Sequence, residues 1–298
     1  MRRYYYRIYG FILVSDYEFP QFLSADETSD PDIVVQIGHI TGDIKKLADE
    51  GKRFGFREKE MWFNTGVGLF WIHDKYISFE GYNGGTIDDA AQYISGLCLS
   101  IFLWLHGMIM LHGACLRLND KTIIVAGGSG SGKSSTSTEL IKRGALLIAD
   151  DVTGIKKENG QYYVYPAFPG QKLCADQVEK NGICTEGLNQ VKYDLNKYEI
   201  PRNDIFYDAP SKVDHMFWID LGQVDRVEMK DIDGAGKVQA VTKAIFINWF
   251  FNEAFKLEAE DILRCIEFAK DIRIHQITRN RQKDTLNEIV NYIETQIA

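Results

Sequence analysis

The sequence predicts an α/β fold in two parts, a β-rich first domain over residues 1–95 and a larger domain over residues 96–298 that mixes strands with helices. Three observations carry this. Lys121–Ala126 is a short, apolar, β-branched run that breaks into a glycine-rich loop and then into a helical pattern starting at Lys133. Residues 1–86 read mainly as short strands punctuated by turn residues. Gly96–Met110, the most apolar stretch, reads as a buried helix.

The elements follow in order. Tyr4–Val14, Asp32–Ile37 and Met61–Asn64 are strands, and Gly68–Ile72 and Tyr76–Phe79 form a hairpin around His73-Asp74-Lys75. Asp26–Asp32 is an acidic loop. Tyr82-Asn83-Gly84-Gly85 is turn chemistry, Thr86 caps a helix running from Ile87 to about Leu105, and Gly107 ends it. Met108–Leu118 and Lys121–Ala126 pair across Asn119-Asp120. The helix Lys133–Arg143 stops at Gly144, and Ala145–Ala149 is a buried strand with Asp150-Asp151 at its carboxyl end. Thr153–Lys157 and Gln161–Tyr165 turn at Asn159-Gly160. Pro166–Gly170 is a loop, Ala175–Asn181 a short helix, and 185–212 polar and irregular. His215–Leu221 and Arg226–Ile232 read as a closing hairpin, followed by helical patterns at 238–256, 258–269 and Gln282–Gln296. The expected result is a parallel-dominated core over about 100–298 with antiparallel hairpins added.

Composition narrows the functional classes. The net charge is −8 and no basic stretch is concentrated enough to offset it, which argues against nucleic acid as a partner. The cysteines, Cys98, Cys115, Cys174, Cys184 and Cys265, are odd in number and show no C-x-x-C spacing, so a reducing compartment is expected rather than a disulfide framework or a zinc site. Gly96–Met110 is shorter than a bilayer requires and His106 interrupts it. The N-terminus has no signal-peptide pattern. The expectation is a cytoplasmic protein with no membrane partner.

The chemistry concentrates at residues 121–138. Gly127, Gly132, Lys133 and Ser134 satisfy G-x-x-x-x-G-K-[ST], and Gly128 and Gly130 add further glycines. Glycine allows the backbone angles that turn successive N–H groups inward as a nest for phosphate oxygens, and the following helix adds its positive end. The loop residues Gly127, Ser129, Gly130, Ser131, Gly132, Lys133, Ser134 and Ser135 are therefore assigned to a nucleotide. Lys133 reaches the β- and γ-phosphates, and the Ser134 hydroxyl suits a magnesium ion. ATP and Mg²⁺ are the expected cofactors.

Phosphoryl transfer also needs a metal holder and a group that orients or deprotonates the acceptor. Asp150 and Asp151 follow a buried strand directly downstream of the loop, where such carboxylates belong. Adjacent strand residues point to opposite sides, so the pair is expected to divide the work, one holding Mg²⁺ near Ser134 and the other facing the acceptor hydroxyl as a base. His112 lies on the strand paired with the one entering the loop.

The run Leu111-His112-Gly113-Ala114, Thr122–Val125, the glycine loop, Glu139–Gly144 and Leu147–Asp151 resembles the catalytic domain of HPr kinase/phosphorylase, in order and spacing, over residues 111–151. The resemblance implies an HPr kinase/PEP carboxykinase-like P-loop core and a serine kinase. It puts the catalytic roles on His112, Lys133 and Asp150, with Asp150 as the base for a serine hydroxyl, and a metal role on Asp151 beside Ser134. Two departures narrow it. Ser135 stands where the bifunctional enzymes have Glu, and Pro166–Cys174 replaces their glycine-rich signature. The first 90 residues also differ from their N-terminal domain. Overall the chain looks like the shorter HPr-kinase-like group of peptide-modification pathways, the lasso-peptide precursor kinases among them, which implies a peptide or small-protein acceptor carrying a serine, and assembly into a homo-oligomer.

Lys172, Lys192 and Arg202 flank the place where an acceptor would sit and are candidates to stabilise the transferred phosphoryl group. The alternatives are an HPr(Ser) kinase/phosphorylase-type regulator, a small-molecule kinase acting on free serine, and a nucleotide-binding GTPase or scaffold without transfer. For the GTPase, Asp151-Val152-Thr153-Gly154 matches D-x-x-G, but the guanine-reading N-K-x-D is missing.

Overall fold

The computed structural model describes residues 2–82, 84–191, 194–251 and 255–298. They form a mixed α/β protein with several sheets, divided into two compact units, Met1–Met108 and Ile109–Ala298. The apolar helix that the sequence reading gave to the second domain lies in the first unit.

The first unit is built on an eight-stranded sheet. Tyr4–Val14, expected as one strand, is a hairpin of Tyr4–Ile8 and Phe11–Ser15, because Tyr9 and Gly10 take positive φ (51° and 82°) and form a tight two-residue turn. The Gly68–His73/Tyr76–Gly81 hairpin is present, and Asp43–Asp49 and Phe54–Arg57 are a helix and a strand that their weak patterns did not announce. The Thr86 side chain accepts from the Asp89 N–H while Asp89 returns a bond to the Thr86 N–H, a capping box that starts the helical run to Leu105.

In the second unit the main sheet has nine strands. Among the described residues, six of its pairings are antiparallel and two parallel, so the core is not parallel-dominated. Tight turns at Asn119-Asp120 and Asn159-Gly160 force their flanking strands antiparallel. Only the long crossovers from Lys121–Gly127 to His215–Leu221, and from there to Arg273–Arg279, give parallel neighbours. Glu228–Asp231 pairs with Arg273–Arg279 rather than closing a hairpin with His215–Leu221. The segment expected to be irregular contributes Asn189–Val191 and Asp194–Pro201, which with Gly170–Cys174 make a three-stranded sheet. The predicted helix 238–256 is broken into Ala235–Ala244 and Phe246–Phe251.

Direction places the chemistry. Lys121–Gly127 runs into the glycine loop, and its neighbour Ile109–Leu118 runs the opposite way. Leu146–Ala149 is antiparallel to Ile109–Leu118 and so points the same way as the loop-entering strand. Gly127, His112 and Asp150-Asp151 therefore come to one end of the sheet. Below them Val125, Leu140, Phe217, Ile289, Val290 and Ile293 form one core cluster, joining the loop helix and the C-terminal helix Leu286–Ile297 to the sheet.

On the parallel strands, His215 Nδ1 lies 2.9 Å from His275 Nε2, and His275 Nδ1 lies 2.6 Å from Asp231 Oδ1. Both rings are buried. Burial and the second imidazole push His215 down to about 4, and burial lowers His275 against the opposing pull of Asp231. The unfolded chain takes up these protons near pH 6.5 and the folded chain resists them. The pair's contribution is complete above pH 6.5 and is lost as pH falls toward 4. Thermal melts should show wild type losing more stability than His215→Gln between pH 7 and pH 5, by on the order of 1 kcal/mol. Parallel losses in the two proteins would exclude the pair as the source.

Candidate active site

The loop-entering strand ends at Gly127, and the loop leads into the helix Lys133–Lys142. A Cβ at Gly127 would stand 2.3 Å from the Ile219 carbonyl oxygen of the parallel neighbour, so only glycine permits this approach. Gly132, at φ 104°, caps the helix in a left-handed conformation that L side chains avoid. Ser129 and Gly130 are exposed, whereas Ser131 is buried with its Oγ unpartnered among the described residues. The Lys133 ammonium turns back on the loop, donating to the carbonyls of Gly127 (2.9 Å) and Gly128 (3.2 Å). Burial lowers it to about 8, against the pull of Asp151. Ser134 and Ser135 open the helix, half-buried.

The two aspartates do not face opposite ways. Both lie beyond the end of Leu146–Ala149, and Asp151 takes a left-handed φ of 65°, which turns the chain. The result is convergence on Lys172. Asp150 Oδ2 accepts the Lys172 backbone N–H at 2.7 Å, and Asp151 Oδ2 accepts from the Lys172 ammonium at 3.2 Å. Their electrostatics nonetheless separate. Burial and the Asp151 charge raise Asp150 to about 7. Burial would raise Asp151 as well, but Lys172, His112 and Lys197 outweigh it and hold the group at about 2. At neutral pH the site thus keeps one permanent carboxylate beside one poised to take a proton.

His112 sits opposite Val152 in the strand register. Its Nδ1 is 3.1 Å from the Asp151 carbonyl oxygen and 3.5 Å from Asp151 Oδ1. Burial lowers it to about 4, so the ring is neutral at pH 7. A carbonyl can only accept, so Nδ1 carries the proton and Nε2 is left with its lone pair. The ring lies 4.6 Å from that of Trp249, which also faces the Lys133 ammonium at 5.5 Å.

Of the three flanking cations, Lys172 stands on the acidic pair itself. Arg202 donates to Gln171 Oε1 (3.0 and 2.7 Å), while Gln171 Nε2 donates to the Ser137 and Thr138 hydroxyls on the loop helix. Lys192 lies outside the described residues. The segment Gly170–Cys174 is therefore the strut that carries the acidic pair against the loop helix. Sequence reasoning missed three residues. Lys197 acts electrostatically on Asp151, His112 and Lys133 from the strand Asp194–Pro201. Arg279 Nη1 donates to the Ser131 carbonyl (3.3 Å) and fills the space a side chain at position 132 would need. Trp249 is the third. None carries a local pattern, and only the tertiary fold brings them to the loop. Among the described residues no three His, Cys, Asp or Glu side chains form a metal-binding group, and no helix is long and apolar enough to cross a membrane.

Comparison with known proteins gives a consistent local match. Residues 105–181 match the HPr Serine kinase C-terminal domain. The HPr kinase/phosphorylase of Alkaliphilus metalliredigens is 49% identical over 49 residues, covering 16% of this chain and 16% of that protein. The HPr kinase/phosphorylase of Clostridium beijerinckii is 40% identical over 70 residues, covering 24% and 23%. The match thus spans less than a quarter of either relative. The solved HPr(Ser) kinase/phosphatase of Coxiella burnetii aligns with a TM-score of 0.31 and 16% identity, over 62% of this chain and 91% of that one. His112, the glycine loop, both aspartates and Lys172 all fall inside the matched residues, and this segment of the chain is similar to the HPr Serine kinase C-terminal domain.

Proposed function

We propose that the chain is a phosphotransferase that moves the γ-phosphoryl group of ATP to a serine hydroxyl of a peptide or small protein. The supporting observation is the convergence of Lys133, His112, Asp150 and Asp151 at one end of the sheet, with Asp150 raised to about 7. A carboxylate poised at neutral pH suits a general base, and a buried ammonium beside a glycine loop suits the charge of a triphosphate. Lys133, Lys172, Lys197 and Arg202 give the site a cationic lining despite the acidic chain. Asp150 takes the serine proton as the acceptor oxygen attacks. His112, hydrogen-bonded to the Asp151 backbone, orients that pair.

The residues fit a magnesium ion. Asp151 and the Ser134 hydroxyl are hard oxygen donors, and Mg²⁺ is commonly held by one or two carboxylates together with phosphate oxygens. Once bound, the ion supplies charge neutralisation of the transferred group.

A lasso-peptide precursor is the acceptor we favour, because Ser135 and the Pro166–Cys174 segment depart from the bifunctional pattern. HPr is the second reading, favoured by the names of the matched relatives. Incubating the chain with γ-labelled ATP and Mg²⁺ against leader-core precursor peptides, HPr and free serine decides between them. Label on a peptide serine is the expected result. Label on HPr or free serine would reassign the acceptor, and ATP binding without transfer to any of the three would leave a scaffold. A homo-oligomer, as the resemblance implies, is part of the proposal and is read by light scattering.

A further inference from the structure

Trp249 belongs to the short helix Phe246–Phe251, which packs on the strand bearing His112. Phe246 and Ile247 anchor that helix in the interior, at 5% and 1% exposure. Trp249 keeps 39% of its surface in solvent, so its place is not explained by core packing alone. Its other face meets the two groups that bracket the transfer site. The His112 ring centroid is 4.6 Å away, and the Lys133 ammonium lies 5.5 Å from the indole centroid. Phe246 adds a second ring 5.8 Å from His112. The indole is thus an apolar wall with one side on the machinery and the other in water.

We propose that Trp249 shields the transfer site from water, so that the γ-phosphoryl group waits for an acceptor hydroxyl instead of being hydrolysed. The proposal rests on the phosphotransferase reading above. Transfer and leakage differ only in the nucleophile. In transfer the acceptor oxygen bonds the γ-phosphorus, the bond to the nucleoside diphosphate breaks, and the acceptor proton passes to Asp150. In leakage a water oxygen forms the same bond, the same diphosphate leaves, and the water proton passes to Asp150. Excluding water suppresses the second path without touching the first.

The test needs no acceptor. The full chain is incubated with Mg-ATP, and inorganic phosphate release is followed beside ATP affinity and the melting temperature for wild type, Trp249→Ala, Trp249→Phe and Lys133→Ala. Trp249→Ala should release phosphate at least about tenfold faster than wild type, equivalent to ~1.4 kcal/mol in barrier. Trp249→Phe, which restores a ring, should return release to within about twofold of wild type. Release in Trp249→Ala no faster than in wild type, with ATP affinity and melting unchanged, would overturn the shield and leave the phosphotransferase reading standing. So would a phenylalanine variant that leaks as fast as the alanine one. If wild type fails to bind ATP, or Lys133→Ala binds and releases like wild type, the phosphate-loop reading itself falls and takes the shield with it.

Discussion

Lys133→Ala should cut phosphoryl transfer by at least roughly 10²–10³-fold while leaving the melting temperature nearly unchanged. The asymmetry follows from what the side chain touches. Among the described residues its ammonium bonds the Gly127 and Gly128 carbonyls and lies near the Trp249 face, so its removal costs two loop contacts and takes no side chain out of the apolar core. For transfer the loss is direct, because a buried ammonium at the loop is worth far more to a triphosphate than an exposed one. Lys133→Arg should not rescue, since a planar guanidinium is a poor substitute for a point charge folded back onto two adjacent carbonyls. Labelled-transfer assays and thermal melts on the same preparations check both halves. Wild-type rates in the alanine variant would remove the phosphate-loop assignment.

The acidic pair should split by function. Asp150→Asn should lower transfer by ~10²–10⁴-fold while retaining nucleotide binding, because the amide keeps the shape and the bond from the Lys172 N–H but cannot take the proton. The pH profile gives a second reading. The proposed base role of Asp150 needs the ionised carboxylate, and burial beside Asp151 has raised it to about 7. Wild-type transfer should therefore rise as pH passes through 7, and that limb should vanish in Asp150→Asn. Asp151→Asn should instead weaken the Mg²⁺ dependence of nucleotide binding, since a neutral oxygen is a poorer ligand for a hard dication. Asparagine is the right probe there because it tolerates the left-handed φ of 65°. Equal losses of Mg²⁺ dependence in both variants would refute the division of labour.

How much of this was readable in the chain depends on where the deciding physics is local. Gly127, Gly130 and Gly132 punctuate a strand and a helix so sharply that the loop and its cationic residue are legible without a structure. Thr86 with Asp89 and Asn159-Gly160 are equally local, and both elements appear where the residues place them. Arg273–Arg279 was not legible. It has a strand neighbour on each side, yet five of its seven residues are Arg, His, Gln or Thr, and the buried His275 is satisfied by His215 and Asp231. The pairing of Glu228–Asp231 failed for the same reason, since the true partner had not been seen. At the site, the expectation that Asp150 and Asp151 point apart assumed that the strand continued. It ends at Ala149, and strand alternation no longer applies.

The left-handed turn at Asp151 carries a consequence for reading other chains. Position 151 is under two separate demands, a backbone that few residues accept and a charge that Lys172 and His112 surround. Glycine meets the first demand alone, asparagine meets the first and keeps the shape, and glutamate meets only the second. A chain of this type with glycine at this position would fold with its strand end, its strut and its loop in place, and would be expected to hold nucleotide without the metal-side carboxylate. On the proposed metal role of Asp151, such a chain would keep this shape and lose the Mg²⁺-dependent part of nucleotide binding, and a fold comparison alone would not tell the two apart.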